Sequence, residues 1–269
     1  MSESNTSSRR DLLSAVTAAG VGMLAAQVGA AEPDARKTAG EFYEWRALRL
    51  KRGIMPGRVD GYMKEAFIPA ARRAGCGSIG AFNVVVGPGN PTLHVLIPHP
   101  TIESFLTLGD RLGDDEQYKK SAAEFRALPA NDPPYLSQEI QLLKAFPHVP
   151  KLEVPPAQPR IFELRTYRSH SKSAGAKKIE MFDTMGEIAI FRRLGLTPVF
   201  FAQTLTGTGL PSLTYMLTFP DLAAREKNFA AFRADPEWAK LKETPGYTDA
   251  EIVTDINNQI LAPTAYSQV

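Results

Sequence analysis

The sequence predicts an α+β fold in which two copies of a β-α-β-β-α-β unit close into one barrel, and two observations support this prediction. First, residues 161–168 alternate between apolar and polar side chains, as a strand does, and residues 42–49 repeat the pattern with Glu and Arg in matching positions. Second, the chain matches itself at a nearly constant separation, 119 positions at these strands (161 − 42) and 120 beyond them. Two copies indicate a duplicated domain rather than a solenoid.

The internal match continues through a helix, a loop and a strand. Arg72–Gly75 recurs as Arg192–Gly195. A second group recurs 120 positions later, and its pairs are Gly87 and Gly207, Gly89 and Gly209, Pro91 and Pro211, and Leu93 and Leu213. The glycine-containing loops lie between strands, so we predict hairpin turns rather than phosphate loops, which need the N-terminus of a helix. A chance similarity would not keep its register through three kinds of element.

The second copy shows the predicted elements most clearly. Gly195 is expected to end a helix, and Asp221 to cap the next one. In order, the predicted elements are a strand over Ile161–Arg168, a helix over Gly175–Arg193, strands over Thr197–Leu205 and Ser212–Phe219, a helix from Asp221 to about Phe232, a helical turn at Trp238 and a strand over Glu251–Leu261.

The first copy has the same order of elements with one insertion, an amphipathic piece over Asp115–Ala127. Its predicted elements are Phe42–Leu50, Val59–Ala74, Ile79–Val86, Leu93–Ile97, Ile102–Leu112 and Ser137–Lys144. The proline-rich residues 147–159 can be neither a helix nor a central strand, so they are predicted to link a first domain at 40–146 to a second at 160–265.

This order of elements is the ferredoxin-like pattern, in which helices cover only one face of each sheet. The other face has to be buried, and the second copy offers a surface for it. We therefore predict tandem ferredoxin-like domains that form a pseudo-dimeric α/β barrel.

Residues 1–31 have the pattern of a twin-arginine signal peptide. Arg9-Arg10 precedes a weakly apolar run over Leu12–Val28, and the small residues Gly29-Ala30-Ala31 follow it. This predicts a periplasmic or secreted protein without stable membrane insertion after processing. The alternatives are an uncleaved membrane anchor and a disordered tail attached to a short apolar helix.

Composition narrows the classes of partner and site. The net charge is only +2, and no long run of Lys or Arg is present, so we expect no nucleic-acid partner. The single cysteine, Cys76, excludes an internal disulfide and a cysteine-rich metal site. The four histidines show no metal-ligand spacing. We therefore expect neither a metal nor another cofactor. A homo-oligomer stays an open alternative.

Several motifs together resemble the NIPSNAP family. They are Phe219–Arg225, Phe232–Trp238, Phe162–Tyr167 and Phe191–Gly195, and the first copy carries more degenerate versions of them. The resemblance implies a dimeric α/β-barrel fold but no assigned reaction. The wider fold includes cofactor-free monooxygenases, haem enzymes and small-molecule binders, so any step from this fold to an activity is analogy.

Strand alternation also predicts which side chains face the barrel interior. We expect Tyr43, Trp45, Phe162 and Leu164 to lie beneath the helices, and their sequence neighbours to point inward. A polar interior of this kind suits a small-molecule ligand. The candidate lining is Glu44, Arg46, Asn83, His94, Glu163, Arg165, Tyr167 and Gln203.

Two readings of these residues stay open. Glu and Arg two positions apart can form a buried ion pair that only stabilises the fold, and the recurrence of the motif in both copies favours that structural role. His94 is replaced by Thr214 in the second copy, and this asymmetry is the best hint of a specialised site. The predicted function is small-molecule binding between the sheets. The alternatives are a cofactor-free monooxygenase or isomerase, and a structural or interaction module without catalytic activity.

Overall fold

Eight strands form one closed antiparallel barrel in the computed structural model, which describes residues 40–89 and 91–269. This confirms the predicted α+β barrel. The strands are β1 (Phe42–Arg49), β2 (Gly80–Val86), β3 (Thr92–His99), β4 (Ser137–Ala145), β5 (Ile161–Arg168), β6 (Thr197–Thr206), β7 (Ser212–Phe219) and β8 (Asp255–Pro263).

The strands follow one another around the ring as β1-β3-β2-β8-β5-β7-β6-β4. The first four strands of the chain therefore make one half of the barrel, in the order β4-β1-β3-β2. The last four make the other half in the corresponding order, β8-β5-β7-β6. The halves join where β2 pairs with β8 and β4 pairs with β6. Every strand is thus hydrogen-bonded on both sides.

Helices accompany each half of the barrel. In the first half they are α1 (Met55–Tyr62), a π-helical turn (Met63–Phe67), α2 (Ile68–Arg73), α3 (Ile102–Leu106), α4 (Leu108–Asp114), α5 (Glu116–Ser121) and α6 (Ala123–Arg126). In the second half they are α7 (Lys172–Asp183), α8 (Glu187–Arg193), α9 (Leu222–Ala234), α10 (Pro236–Lys242) and α11 (Asp249–Ile252).

Several predicted helices and strands have other bounds in the structure, among them the helix predicted over Val59–Ala74, which begins at Met55, and two of the differences have clear local reasons. The helix predicted over 175–193 is divided into α7 and α8, because Gly186 takes the left-handed φ of +102° that an L-residue rarely adopts. The last strand begins at Asp255 rather than Glu251. A capping box between Thr248 and Glu251 starts α11 there instead.

The barrel interior is a packed apolar core. All eight strands contribute to it, and Phe82 meets Phe162 across the two halves with ring centroids 4.9 Å apart. Val269 and Leu152 complete the cluster. The strand residues in it are Tyr43, Trp45, Phe82, Val84, Leu96, Leu143, Ala145, Phe162, Leu164, Val199, Phe200, Ala202, Met216 and Leu261.

The predicted facing of β1 and β5 was wrong. Tyr43, Trp45, Phe162 and Leu164 lie inside the barrel, not beneath the helices. Directly opposed residues in an antiparallel pair share a face, and Trp45 is opposite Leu96, another interior residue. The alternation was predicted correctly, but the register between strands decides which of the two faces is inside.

Two further apolar clusters lie between the barrel and the helices, one in each half. None of the helices within residues 40–89 and 91–269 is long and apolar enough to cross a membrane. The predicted signal peptide, residues 1–31, lies outside the described residues.

Candidate functional site

Seven of the eight candidate residues lie outside the barrel interior, which contradicts their predicted position. Their strands have the opposite facing to the one expected, so these side chains point towards the helices or the solvent. Asn83 and Gln203 are exposed and lie opposite Leu93 and Leu213, whose side chains belong to the clusters beneath the helices. The others are Glu44, Arg46, Glu163, Arg165 and Tyr167. The structure places His94 inside the barrel.

Both carboxylate oxygens of Glu44 have a hydrogen-bond partner within the protein, which indicates a structural role. Arg46 Nε donates to its Oε1 at 2.6 Å, and His99 Nε2 lies 3.2 Å from its Oε2. Burial raises the pKa of Glu44, but the hydrogen bond from His99 and the charge of Arg46 outweigh it, so the pKa lies below its ordinary value. The carboxylate stays ionised and joins β1 to the end of β3.

Glu163, at the matching position of β5, is fully buried and has different partners. Arg225 of α9 donates to its two carboxylate oxygens at 2.9 and 2.7 Å, and Asn258 Nδ2 donates at 3.1 Å. Arg165 Nη1 is 3.8 Å away, too far for a hydrogen bond. The Glu163–Arg165 pair expected from the sequence is therefore weak. Glu163 mainly holds α9 onto the sheet.

A buried charged cluster of the second half was missed by sequence reasoning. Lys178 of α7 is 1% exposed, and its Nζ lies 3.4 Å from Glu187 and 3.1 Å from Asp249. Burial raises the pKa of Glu187 to about 7. Charged residues on an amphipathic helix ordinarily predict a solvated face. No signal in the sequence distinguished these from solvated residues.

One end of the barrel contains a polar cavity of about 170 Å³, which we call the mouth pocket. It sits above the packed aromatic core and draws residues from both halves. Its lining is Trp45, Ala47, His94, Glu139, Gln141, Leu164, Thr166, Arg168, Thr208, Ser212, Thr214, Asn257 and Gln259.

His94 is the unusual residue of the mouth pocket. Its side chain is only 6% exposed and stacks on Trp45, with ring centroids 5.2 Å apart. Neither ring nitrogen makes a hydrogen bond of good geometry with a described residue, although the side chain of Gln259 lies near enough to raise the imidazole pKa against the larger effect of burial. The corresponding residue of the second half, Thr214, bonds Thr166 across the β5–β7 pair at 3.1 Å. The imidazole has no equivalent bond across its strand pair, and Arg168 Nε, in the same lining, is likewise without a partner among the described residues.

Burial lowers the pKa of His94 to about 4, so the imidazole is neutral at pH 7. A neutral imidazole presents one donor and one acceptor. Buried polar groups without partners are rare in folded proteins, and each lost hydrogen bond is costly. Within the described residues no three His, Cys, Asp or Glu side chains are grouped as metal ligands would be. The arrangement is suited to hydrogen-bonding a small neutral molecule.

Comparisons with solved structures support the fold. A candidate monooxygenase from Lactobacillus acidophilus NCFM aligns with a TM-score of 0.57 and 7% identity, over 83% of this chain and 94% of that one. Another, from Fusobacterium nucleatum, aligns with a TM-score of 0.54 and 7% identity, over 84% and 93% of the two chains. At this identity the similarity establishes the architecture alone.

One family model matches part of the chain. No curated protein matches the chain. A NIPSNAP-like domain protein from Burkholderia xenovorans shares 25% identity over 40% of this chain and 89% of its own, with a TM-score of 0.36. Residues 162–268 match the model of the NIPSNAP family. The match to this family thus covers the second half of the barrel, from β5 to β8.

Proposed function

We propose that the protein binds a small, neutral, polar molecule in the mouth pocket, with His94 as its main hydrogen-bonding residue. The observation that carries this proposal is the imidazole itself, which is buried and neutral and makes no hydrogen bond of good geometry with a described residue, with only a weak interaction with the Gln259 side chain. A ligand with a donor and an acceptor would satisfy both nitrogens and recover the hydrogen bonds that the fold leaves unmade.

The pocket also limits the chemistry of the ligand. Its volume of about 170 Å³ is below the usual range for drug-sized ligands, so only a small molecule fits. The amides of Gln141, Asn257 and Gln259 line the pocket and could hydrogen-bond a hydroxyl or carbonyl group. The core below is packed with aromatic side chains, so the ligand would stay at the mouth.

The substitution His94→Leu tests this function. Leu removes both unpaired nitrogens, so the unliganded variant should be more stable by about 1–3 kcal/mol while losing its ligand. Binding is measured by ligand-observed NMR with glycolamide, hydroxyacetone and ethylene glycol as probes, because the variant lacks the imidazole that would otherwise report it. The control His148→Leu changes an exposed histidine and should leave binding intact. A less stable His94→Leu variant that still binds the probes would exclude the proposal.

A cofactor-free monooxygenase or isomerase is the alternative function, favoured only by the barrel shared with candidate monooxygenases. A general base works best with a pKa near the working pH, and the pKa of His94 lies well below 7. Binding is therefore better supported than proton abstraction. The packed interior also agrees with a structural or interaction module, which would bind none of the probes.

Several features support two tandem NIPSNAP-like copies. The strand order is the same in both halves. Arg73 pairs with Asp115 at 2.7 Å, and Arg193 pairs with Asp235 at 2.9 Å, in each case with the aspartate that caps the following helix. These are the positions that the sequence repeat relates. Duplication followed by divergence of the first copy accounts for both the shared pairs and the asymmetric mouth.

Export through the twin-arginine pathway is the last element of the proposal. It is supported by Arg9-Arg10 before the apolar run that ends near Val28. Replacement of both arginines by lysine should stop accumulation in the periplasm. Normal accumulation, measured by cell fractionation, would contradict the signal assignment.

A further inference from the structure

A second cavity, of about 280 Å³, lies on the other side of the first half's sheet, between its outer face and the helices. We call it the helix-side cavity. Strands β1 and β3 form its floor, while α1, the π-helical turn, α6 and the start of β4 form its walls. It is lined by Arg46, Leu48, Tyr62, Met63, Val95, Phe125, Arg126, Pro134, Tyr135 and Gln138.

Arg46 is held in this cavity with its charge only partly used. Its Nε donates to Glu44, and its guanidinium carbon lies 4.8 Å from the centre of the Phe67 ring. No acceptor within the described part of the chain bonds either η nitrogen. The side chain is 19% exposed. Arg46 therefore offers a fixed pair of charged donors, the geometry that matches a carboxylate.

The walls of the cavity are flat and aromatic. Tyr62 and Phe125 stack with ring centroids 4.0 Å apart and planes inclined by 5°. The hydroxyl of Tyr62 is fixed by Tyr118 at 2.7 Å. Tyr135 adds a third ring to the lining, which includes two arginines and no carboxylate. Such a surface suits an apolar planar body with a negative charge at one end.

We propose that the helix-side cavity binds a small organic anion, an aromatic or similarly flat carboxylate, with its carboxylate on the η nitrogens of Arg46. This site is distinct from the mouth pocket. Arg46 and Trp45 are neighbours on β1 and so lie on opposite faces of the sheet, Trp45 in the interior and Arg46 beneath the helices.

The second half uses the corresponding arginine differently. The guanidinium carbon of Arg165 lies 5.6 Å from the centre of the Tyr167 ring and 5.3 Å from that of Phe229. Two aromatic side chains of the protein thus occupy its neighbourhood, where Arg46 borders open space. Arg165 is consequently a matched control for Arg46, at the same strand position but without the cavity.

Isothermal titration calorimetry with benzoate tests the proposal on the mature protein. Benzoate should bind, while benzamide, which lacks the charge, and acetate, which lacks the ring, should bind more weakly. Arg46→Met should weaken benzoate binding by about tenfold to a hundredfold, the loss of a charge-assisted pair of hydrogen bonds. Arg165→Met should leave it unchanged.

A second variant covers the case in which Arg46→Met fails to fold because Glu44 loses a partner. Gln138 is exposed at the rim of the cavity, so Gln138→Trp should fill the opening without disturbing the core and abolish benzoate binding. The proposal is overturned if the wild-type protein does not bind benzoate at millimolar concentration. It is also overturned if Gln138→Trp, or a folded Arg46→Met, binds benzoate as the wild type does.

Discussion

The two halves of the barrel bury a glutamate at the same strand position but pair it with different side chains. In the first half Glu44 is bonded by Arg46 and His99, both on strands. In the second half Glu163 is bonded mainly by Arg225, on helix α9. Both halves contain a buried, paired carboxylate. Its partners come from strands in the first half and mainly from a helix in the second.

Two positions account for this difference. The residue at the end of β3 is His99, and 120 positions later the end of β7 is Phe219. The next helix carries Phe105 in the first half and Arg225 in the second. The partner of the glutamate thus stands at the strand end in the first half and on the helix in the second, and a phenylalanine occupies the other position in each half. The requirement is a partner for the buried charge, because a buried carboxylate without one is costly, and either element can meet it.

The largest expected effect on stability comes from breaking the pair between Glu163 and Arg225 of helix α9. Arg225→Met should lower the free energy of unfolding by about 3–5 kcal/mol, because it leaves Glu163 fully buried with only Asn258 and a distant Arg165. Arg165→Met should lower the free energy of unfolding by clearly less than Arg225→Met does. Urea denaturation of both variants measures the difference. Equal losses would mean that the two arginines share Glu163 equally and that the contrast between the halves is wrong.

A pH-dependent effect of intermediate size is expected from Glu187, whose behaviour is opposite to that of Glu44. Its pKa is about 7 in the folded protein against an ordinary value of 4.5. Between these values the folded state holds a proton that the unfolded state releases, so raising the pH lowers stability, by at most about 3 kcal/mol.

The variant Glu187→Gln isolates this contribution. Its stability relative to the wild type should improve as the pH rises from about 5 to about 8, measured by urea denaturation across that range. The lowered pKa of Glu44 acts in the other direction, with stability lost as the pH falls through the acid range. A constant difference between variant and wild type would show that Glu187 is ionised throughout.

The smallest effect concerns two helix caps at matching positions. Asp221 accepts a hydrogen bond from Ala224 N at 2.8 Å at the start of the thirteen-residue helix α9, and Thr101 accepts one from Ser104 N at 3.2 Å before the five-residue α3. Asp221→Ala should cost about 1 kcal/mol and Thr101→Ala less, because the longer bond is weaker. Thermal melts of the two variants test the order. A larger loss of stability from Thr101→Ala than from Asp221→Ala would contradict this order.

The elements of the fold could be predicted from the sequence because local signals fix them. Alternation placed the strands, Asp221 marked the start of α9, and the repeat transferred assignments from the clear half to the degenerate one. The facing of β1 could not be predicted from its own residues. Tyr43 and Trp45 alternate with Glu44 and Arg46 whichever of the two faces points into the barrel. Only the register with β3 shows that Tyr43 and Trp45 are on the interior face.

The candidate site was predictable only in part, for a related reason. His94 was identified because it breaks the repeat against Thr214, a difference visible in the sequence. The poor hydrogen bonding of its two nitrogens depends on the placement of a residue distant in the chain, Gln259, and no local pattern reports it. Lys178 likewise looks like a solvated helix residue until α10 and α11 pack around it.

The stacking of Trp45 on His94 has a practical consequence. The chain has only two tryptophans, Trp45 and Trp238, and each belongs to a different half of the barrel. Trp45 lines the mouth pocket, while Trp238 packs on Phe232 with ring centroids 4.4 Å apart. Intrinsic fluorescence therefore provides a built-in reporter for each half. With Trp238→Phe as background, quenching or a shift in emission on adding a compound can be assigned to Trp45 and its surroundings.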